Sequence, residues 1–451
     1  MDKKNNQPQK IVTRFAPSPT GPVHLGSART ALFNYLFTKQ NGGKMILRIE
    51  DTDTERSKPE YEKDIIDGLD WLGIKFDEFY RQSERKDVYK KYLSKMVEEG
   101  TAYISKEEPK EEGQRSEIIR FKNPNVKIKF NDLIRGEIEF DTTELGDFVV
   151  ARDMESPLYH LAVAVDDFDM GVTHIIRGDD GISNTPRQIL IQEAIGAPRP
   201  IYAHIPLILA PDKSKLSKRH GVVSVNKYKE EGYISGALIN FLALLGWSPQ
   251  GREGTDEEIF YLDELVKKFD INKVQKKGAI FNIEKLNWIN KQYIRNAPID
   301  HLAEVLIDFL PDDLKKEADE KYDLWKKVVS IEAERIEKFS DIADSIDYFF
   351  HVPEYEKEML NWKDEKDIDK TKSHLEYILN ILCDIKESAF NREIIKGLVW
   401  DYAEKEGRGN VLWPFRVALS GKQKSPDPFM MSEVLGKEES IKRIKNAIEK
   451  I

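Results

Sequence analysis

The chain has 451 residues, 40% of them hydrophobic, and its 70 Lys plus Arg against 80 Asp plus Glu give a formal net charge of −10. This length exceeds one ordinary domain, so we expect roughly two to four compact units. No apolar run approaches the roughly 20 residues of a membrane span, and the start of the chain has no hydrophobic signal core, so we expect a cytoplasmic protein without membrane contact. The single cysteine, Cys383, excludes an intramolecular disulfide framework and a multi-cysteine zinc site.

The first predicted elements are a strand over Ile11–Phe15, a loop rich in proline and glycine, and a helix. The apolar side chains of this helix share one face: Ala28, Ala31, Leu32, Tyr35 and Leu36. A strand-to-helix junction points unpaired backbone N–H groups and the positive end of the helix dipole at the loop, which suits a phosphate. His24 and Gly26 are therefore candidate phosphate-binding residues, the imidazole as a donor and the glycine as a point of close backbone approach.

Residues 11 to about 100 alternate short apolar strands, such as Lys44–Ile49, with helical stretches, which is typical of an α/β sheet. From 101 to about 156 the chain is charge-rich with short strands, which predicts an inserted small α+β module. Alternating strands and helices resume through Thr173–Ile176 and Ile205–Leu209. The pattern predicts a Rossmann-like, doubly wound parallel sheet that an insertion interrupts.

The basic stretch Lys213–His220 follows the second half of this sheet, and after Gly221 the periodicity is helical to the end of the chain. We place the units at the following bounds: residues 1–100 and 166–222 for the two halves of the Rossmann-like sheet, 101–165 for the inserted module, and 223–310 and 311–451 for two helical regions.

The loop Pro17–Ser27 and the stretch Lys213–His220 resemble, in order, spacing and neighbouring residues, the HIGH and KMSKS signatures of class I aminoacyl-tRNA synthetases. The surrounding residues resemble the bacterial glutamyl-tRNA synthetase family in particular. Almost the whole chain takes part, through these segments: Arg14–Gly21, Arg48–Asp53, Tyr159–Ala162, Val165–Asp167, Ile176–Asp180, Leu216–Gly221, Trp413–Gly421 and Leu435–Glu438.

The resemblance implies that L-glutamate is ligated to tRNA(Glu) through a glutamyl-adenylate, at the expense of ATP accompanied by Mg²⁺, with release of AMP and pyrophosphate. It implies that 101–165 binds the acceptor end of the tRNA, that 223–310 contacts its stem, and that 311–451 binds the anticodon. A monomer is expected by analogy. The net charge argues mildly against a nucleic-acid partner, but phosphate contacts depend on local Lys and Arg clusters, such as those within 267–277 and 442–450.

By the same resemblance, the residues that bind ATP are His24, Gly26, Lys215, Ser217 and Lys218. His24, Lys215 and Lys218 are the catalytic candidates, because lysines on a loop can meet the negative charge that develops on the triphosphate.

The resemblance also implies that Arg14 and Arg177 face the side-chain carboxylate of glutamate, with Tyr159 as a hydroxyl donor and Ser18 nearby, while Glu50 takes the α-ammonium. A guanidinium offers only donors and can hold a carboxylate bidentately, so the amide of glutamine would set an NH₂ group against N–H groups.

Two positions depart from the family pattern. Val163 stands where some relatives carry an asparagine near the amino acid, so that contact is not carried over. Between Tyr103 and Phe121 the chain is shorter than in relatives with a zinc-binding insertion and holds neither Cys nor His, so no zinc is expected.

Alternative functions stay open. The enzyme could also glutamylate tRNA(Gln), or it could be a glutaminyl-tRNA synthetase, although the helical periodicity after residue 296 disagrees with a β-barrel anticodon region. A truncated paralogue that glutamylates a base of tRNA(Asp) would lack the long region after position 300. A catalytically silent tRNA-binding module would not need the motif residues His24, Gly26, Lys215 and Lys218.

Overall fold

The first predicted strand and helix are present, as β1 (Val12–Phe15) and α1 (Leu25–Gln40). The computed structural model describes residues 10–106, 117–216, 224–250, 257–363 and 367–451. Of the predicted helical face, Ala28, Ala31, Leu32 and Leu36 are buried, which confirms it, while Tyr35 is partly buried at its edge.

The remaining strands of the described residues are β2 (Lys44–Ile49), β3 (Glu78–Arg81), β4 (Ala102–Lys106), β5 (Glu117–Phe121), β6 (Lys127–Asp132), β7 (Gly136–Asp141), β8 (Phe148–Asp153), β9 (Ser156–Pro157), β10 (His174–Gly178), β11 (Ile201–Ile205), β12 (Ile208–Leu209) and β13 (Ala279–Ile280). Among the described residues, the helices that follow α1 up to residue 296 are α2 (Pro59–Trp71), α3 (Lys86–Glu98), α4 (Tyr159–Asp169), α5 (Thr185–Ala194), α6 (Val225–Glu230), α7 (Ser235–Leu244), α8 (Leu262–Lys268) and α9 (Ile283–Asn296).

The predicted parallel sheet is confirmed. β1, β2 and β3 pair in parallel, and β10 pairs in parallel with β11. The two sets meet at Thr173, whose backbone N–H donates to the carbonyl of Val12 at 2.9 Å. Because all these strands run in one direction, their carboxyl ends share one edge, and ligands of open α/β sheets bind at that edge.

The stretch predicted as one inserted module is divided between two sheets. β4, β5, β8 and β9 form an antiparallel sheet, whereas β6 joins β11 of the central sheet and carries β7 as its antiparallel neighbour. The alternation of apolar and charged residues predicted the β6 strand, and its Ile128 and Phe130 are buried. Residues 107–116, which belong to the stretch considered for zinc, lie outside the described residues.

The chain divides into two units, Met1–Ile289 and Asn290–Ile451. The described elements of the second unit are helical, as predicted: α10 (Ile299–Leu306), α11 (Asp312–Glu320), α12 (Tyr322–Glu332), α13 (Asp347–Phe350), α14 (Ile368–Asp384), α15 (Arg392–Glu406), α16 (Arg408–Ser420) and α17 (Pro428–Lys450).

Arg443 of α17 lies in the interior of the second unit, where it is only 2% exposed. Its guanidinium donates to the carbonyls of Leu419 at 2.6 Å, His351 at 3.1 Å and Tyr348. Its Nε lies 2.9 Å from a carboxylate oxygen of Glu439, one turn earlier on the same helix. The last helix therefore holds together backbone segments that are distant in sequence.

Among the helices of the described residues, none combines the length and the apolar character needed to cross a membrane.

Candidate active site

His24 ends the loop before α1 and is the N-cap residue of that helix. Its Nδ1 accepts a hydrogen bond from the backbone N–H of Ser27 at 3.2 Å, which satisfies one of the N–H groups left unpaired at a helix start. Because Nδ1 accepts, a neutral His24 carries its proton on Nε2, 3.2 Å from Oγ of Ser27. The exposed imidazole thus presents an N–H donor beside the positive end of α1.

Gly26 leaves space for the same imidazole ring. A β-carbon at this position would lie 3.1 Å from both Cε1 and Nδ1 of His24, which is a crowded contact. The sequence suggested that the glycine admits a ligand, and the structure adds that it makes room for the capping ring.

The segment with the basic motif is anchored at both of its described ends. The N–H of Leu216 donates to the carbonyl of Ile208 at 3.0 Å, beside β12. Ser217 and Lys218 lie outside the described residues. Beyond them, Ser224 forms a β-bridge with His24, and the N–H of Val225 next to it donates to a loop carbonyl at 2.9 Å. The first described residue after the motif, Ser224, therefore lies next to His24.

Asp64 of α2 links the two parts of this arrangement. Its Oδ2 accepts a hydrogen bond from the N–H of Val23 at 2.8 Å, and its Oδ1 accepts one from Nδ2 of Asn226 at 2.7 Å. One carboxylate thus joins the loop before α1 to the start of α6. No sequence motif pointed to Asp64, since it lies among several acidic residues of an amphipathic helix.

Lys215 is the predicted catalytic lysine that the structure describes. Its Nζ lies 3.5 Å from Oδ2 of Asp180, and both side chains are more than half exposed, at 62% and 65%. Exposed pairs of this kind contribute little free energy because water and salt screen them. The ammonium group can therefore leave Asp180 for a more highly charged partner.

The residues predicted to bind the amino acid gather at the carboxyl ends of neighbouring strands. Arg14 lies near the end of β1, Glu50 directly follows β2, and Arg177 lies near the end of β10. All three are buried, with exposed fractions of 4%, 6% and 8%. The N–H of Glu50 donates to the carbonyl of Pro17 at 2.9 Å, which ties this group to the loop before α1.

Two residues to which the sequence gave no role, Arg48 and Asp167, connect Arg14 with Glu50. Arg14 Nε lies 3.2 Å from Oδ1 of Asp167, and Arg48 donates to the same oxygen at 2.7 Å and to Oε1 of Glu50 at 3.0 Å. Arg48 is fully buried. Arg48 also lies 3.8 Å from a carboxylate oxygen of Asp166, so the buried positive and negative charges of this network compensate one another.

Two carboxyl groups of this network shift in opposite directions. Burial favours the neutral form of Asp167, but Arg14 and Arg48 outweigh it and hold the pKa of Asp167 below its ordinary value. For Glu50, burial dominates and raises the pKa, with Arg48 and Arg14 opposing it in part. Oδ2 of Asp167 is buried and accepts no hydrogen bond within the described parts of the chain. A ligand ammonium would therefore find acceptors here.

Arg177 is held by neutral groups. Its Nε donates to Nε2 of His204 at 3.0 Å, and its terminal nitrogens donate to Oε1 of Gln188 at 2.7 Å and to Oγ1 of Thr185 at 2.8 Å. The described residues provide no carboxylate in ion-pair contact with it, and burial lowers its pKa. A buried cation without an anion is costly, so this position favours an anionic ligand.

Tyr159 and Ser18 are the more exposed of the predicted amino-acid ligands. Tyr159 begins α4 and is 38% exposed. Partial burial and the charge of Glu50 raise the pKa of Tyr159, while Arg177 and Arg14 oppose the rise, so the hydroxyl remains a donor at neutral pH. Ser18 is exposed, and its carbonyl accepts from the N–H of Thr20 at 2.9 Å.

A family model described as class I tRNA synthetases (E and Q), catalytic domain, matches residues 10–117 and 105–288, and an anticodon binding domain model matches 301–448. A glutamate–tRNA ligase of Aquifex aeolicus is 44% identical, over 98% of this chain and 99% of its own length. One of Carboxydothermus hydrogenoformans is 40% identical, over 97% and 99%. The crystal structure of a glutamate tRNA ligase from Elizabethkingia meningosepticum, in complex with its amino acid, superimposes with a TM-score of 0.85 at 34% identity, over 98% of this chain and 99% of that one.

Proposed function

This chain belongs to the class I glutamate–tRNA ligase family and charges glutamate onto tRNA, and we propose that it acts on tRNA(Glu) through a glutamyl-adenylate intermediate. The observation that carries the proposal is the grouping of Arg14, Glu50 and Arg177 at one sheet edge, tied to the loop that leads to His24. One edge then offers cationic and anionic groups for an acidic amino acid beside a helix start that suits a phosphate.

Glutamate is recognised at both ends. Arg177 and Arg14 hold the side-chain carboxylate, with the hydroxyl of Tyr159 as a further donor and Ser18 close by. Glu50 takes the α-ammonium. Arg14 is anchored to Asp167 through Nε, which leaves its terminal nitrogens for the substrate. A ligand amide would present N–H groups to these donors, so glutamine is rejected.

ATP is bound by the start of α1 and by the basic segment. Nε2 of His24 donates to a phosphate oxygen, backbone N–H groups around Gly26 add further donors, and Ser217 lies in the same segment. The substrate is the Mg²⁺ complex of ATP, in which the phosphates and water supply most of the ligands of the ion.

In the first step an oxygen of the α-carboxylate of glutamate attacks the α-phosphorus of ATP. The bond from this phosphorus to the oxygen that bridges it to the β-phosphorus breaks, and pyrophosphate leaves with that oxygen. Lys215 and Lys218 neutralise the charge that builds on the leaving group. In the second step a ribose hydroxyl at the tRNA end attacks the acyl carbon and AMP leaves. The substrates are themselves the nucleophiles, so positioning and electrostatics are the tasks of the protein.

The second unit binds the anticodon, in agreement with the family model that matches residues 301–448. The finer assignments, acceptor-end binding by 101–165, stem contacts by 223–310 and anticodon binding from 311, follow the family pattern. A cytoplasmic monomer fits this role.

Acylation with radiolabelled glutamate on purified tRNA(Glu), tRNA(Gln) and tRNA(Asp) in parallel tests the function. We expect rapid labelling of tRNA(Glu) that mild alkali removes, as an ester requires. Comparable labelling of tRNA(Gln) would identify an enzyme that does not discriminate, which the comparisons do not favour. Labelling of tRNA(Asp) alone would overturn the proposal.

A further inference from the structure

Arg177 is the end of a chain of three buried side chains that begins in the strand β6. We propose that His204, fixed by Asp132, is a positioning residue that sets the orientation of the Arg177 guanidinium without neutralising its charge. This inference rests on the proposed function, in which Arg177 holds the side-chain carboxylate of glutamate.

The backbone places the three residues together. Arg177 on β10 and His204 on β11 are register partners in the parallel ladder, and Asp132 of β6 is the register partner of Tyr202, two residues before His204 on the same face of β11. His204 is fully buried, and Asp132 is 1% exposed. Buried side chains that lie next to one another on neighbouring strands have little freedom to move.

The hydrogen bonds determine which nitrogen of His204 carries the proton. Oδ2 of Asp132 accepts from the backbone N–H of His204 at 3.0 Å and lies 2.7 Å from its Nδ1. A carboxylate can only accept, so Nδ1 is the protonated nitrogen and Nε2 carries a lone pair. That lone pair accepts from Nε of Arg177 at 3.0 Å. Burial lowers the pKa of His204, which keeps the ring neutral.

A neutral acceptor has a specific advantage at this position. The three groups that hold Arg177, namely His204, Gln188 and Thr185, fix three different nitrogens of one plane without supplying a negative charge. Each terminal nitrogen carries two N–H groups, so one on each remains to donate to a ligand carboxylate. A protein carboxylate in place of any of these groups would compete with the substrate.

The backbone at Gly181 also lies against Arg177. A β-carbon at Gly181 would lie 2.6 Å from Nε of Arg177, so the chain at this glycine is in contact with the arginine. Asp132 is fixed in turn, because its Oδ1 accepts from the N–H groups of Ile134 at 2.9 Å and Arg135 at 2.8 Å. The turn between β6 and β7 therefore fixes Asp132, and through Asp132 and His204 it fixes the orientation of the Arg177 guanidinium.

Two substitutions of His204 distinguish its hydrogen bond with Arg177 from its hydrogen bond with Asp132. In His204→Gln the amide oxygen can take the place of Nε2 and accept from Arg177, whereas in His204→Asn the amide reaches only the position of Nδ1. We expect His204→Asn to raise KM for glutamate at least tenfold, with kcat at saturating glutamate and KM for ATP within threefold of wild type. His204→Gln should stay within threefold of wild type in all three constants, a rescue that loss of packing alone would not produce.

A substitution of Gln188 tests the requirement for neutrality, and it decides the question if His204→Asn is unstable. Gln188→Glu sets a carboxylate against Arg177 with almost no change in shape, and we expect KM for glutamate to rise at least tenfold while the melting temperature does not fall. His174→Asn, at the other end of β10, is the control and should leave KM for glutamate unchanged.

Equal KM values for glutamate in His204→Asn, Gln188→Glu and wild type would overturn the inference. So would a KM for ATP that rises as much as the KM for glutamate, or a His204→Gln variant as impaired as His204→Asn. A failure of the proposed function is distinguishable, because the wild-type enzyme would then not charge tRNA with glutamate at all.

Discussion

Arg177 combines burial, fixed orientation and an uncompensated charge, so its chemistry can be tested by a change that keeps only the charge. In Arg177→Lys the planar fork is lost, and we expect KM for glutamate to rise roughly 10- to 100-fold, with KM for ATP nearly unchanged. The measurement is steady-state aminoacylation at varied glutamate and varied ATP. Arg199→Lys is a matched control, because Arg199 is exposed and pairs with Glu193. An equal rise of both KM values would contradict a role in amino-acid binding.

Glu50 predicts a pH dependence. Its pKa is raised by burial above the ordinary value of about 4.3, and only the ionised form attracts an ammonium group. As pH falls through this raised pKa, Glu50 becomes protonated, so KM for glutamate should rise at a pH where an exposed glutamate would still be charged. The measurement is KM for glutamate between about pH 5 and pH 8.

Glu50→Gln is the comparison that isolates this titration, since the substrate's own carboxyl group titrates equally in both enzymes. The variant should have a higher KM at neutral pH and a flatter profile on the acid side. An acid limb that is the same in wild type and Glu50→Gln would assign the titration to another group.

At the scale of elements, Asp64 joins α2 to both the loop before α1 and the start of α6. In Asp64→Asn one of the two acceptor oxygens becomes an NH₂ group and faces a donor, so one link is lost and the two segments can separate. We expect kcat to fall roughly tenfold, about 1.4 kcal/mol, with KM for glutamate little changed. Single-turnover acylation measures the effect.

Asp67→Asn on the same helix is the control, since Asp67 is exposed and forms an ion pair with Lys63. If both substitutions slow the reaction equally, a general weakening of α2 explains the result better than the link through Asp64.

Sequence periodicity predicted the strands well where the apolar residues form a clear run or a clear alternation. β2 begins and ends as expected, and the alternation at Ile128 and Phe130 identified β6. The sequence could not show that β6 leaves the inserted module to pair with β11, because that pairing depends on contacts distant along the chain. For the same reason Asp132 could not be connected with His204 before the structure placed them in contact.

The site residues divide in a similar way. Residues inside recognisable motifs, such as His24 and Arg177, could be singled out from the sequence. Arg48 and Asp167 lie in those motifs too, but their charges do not reveal whether they meet a ligand or each other. Arg443 shows the reverse case, since it was counted in a basic cluster that could meet RNA and is instead buried against backbone carbonyls.

At the scale of the whole molecule, helical periodicity predicted that the second unit is helical. The unit begins at Asn290, within α9, and a helix that continues through a unit boundary gives no break in the sequence pattern. Boundaries are therefore the part of the architecture that periodicity defines least well.

The net charge of −10 and the proposed tRNA partner lead to a prediction at this scale. Contacts with tRNA phosphates must come from local Lys and Arg, and such contacts release counterions, so KM for tRNA should rise roughly tenfold or more between about 50 and 200 mM KCl. KM for glutamate, which binds at a buried site, should change much less. Aminoacylation over this range of salt tests the expectation, and a KM for tRNA that does not depend on salt would contradict it.

Arg443 also decides how far the chain can be shortened. A stop codon before this position would spare every residue near the ATP, yet it would strip a shared donor from the carbonyls of Tyr348, His351 and Leu419. Such a product would present unpaired interior backbone to the quality-control proteases of the cell. Mutations in the closing helix would then lower the amount of the protein in the cell, whereas mutations around the sheet edge would lower the catalytic rate of each molecule.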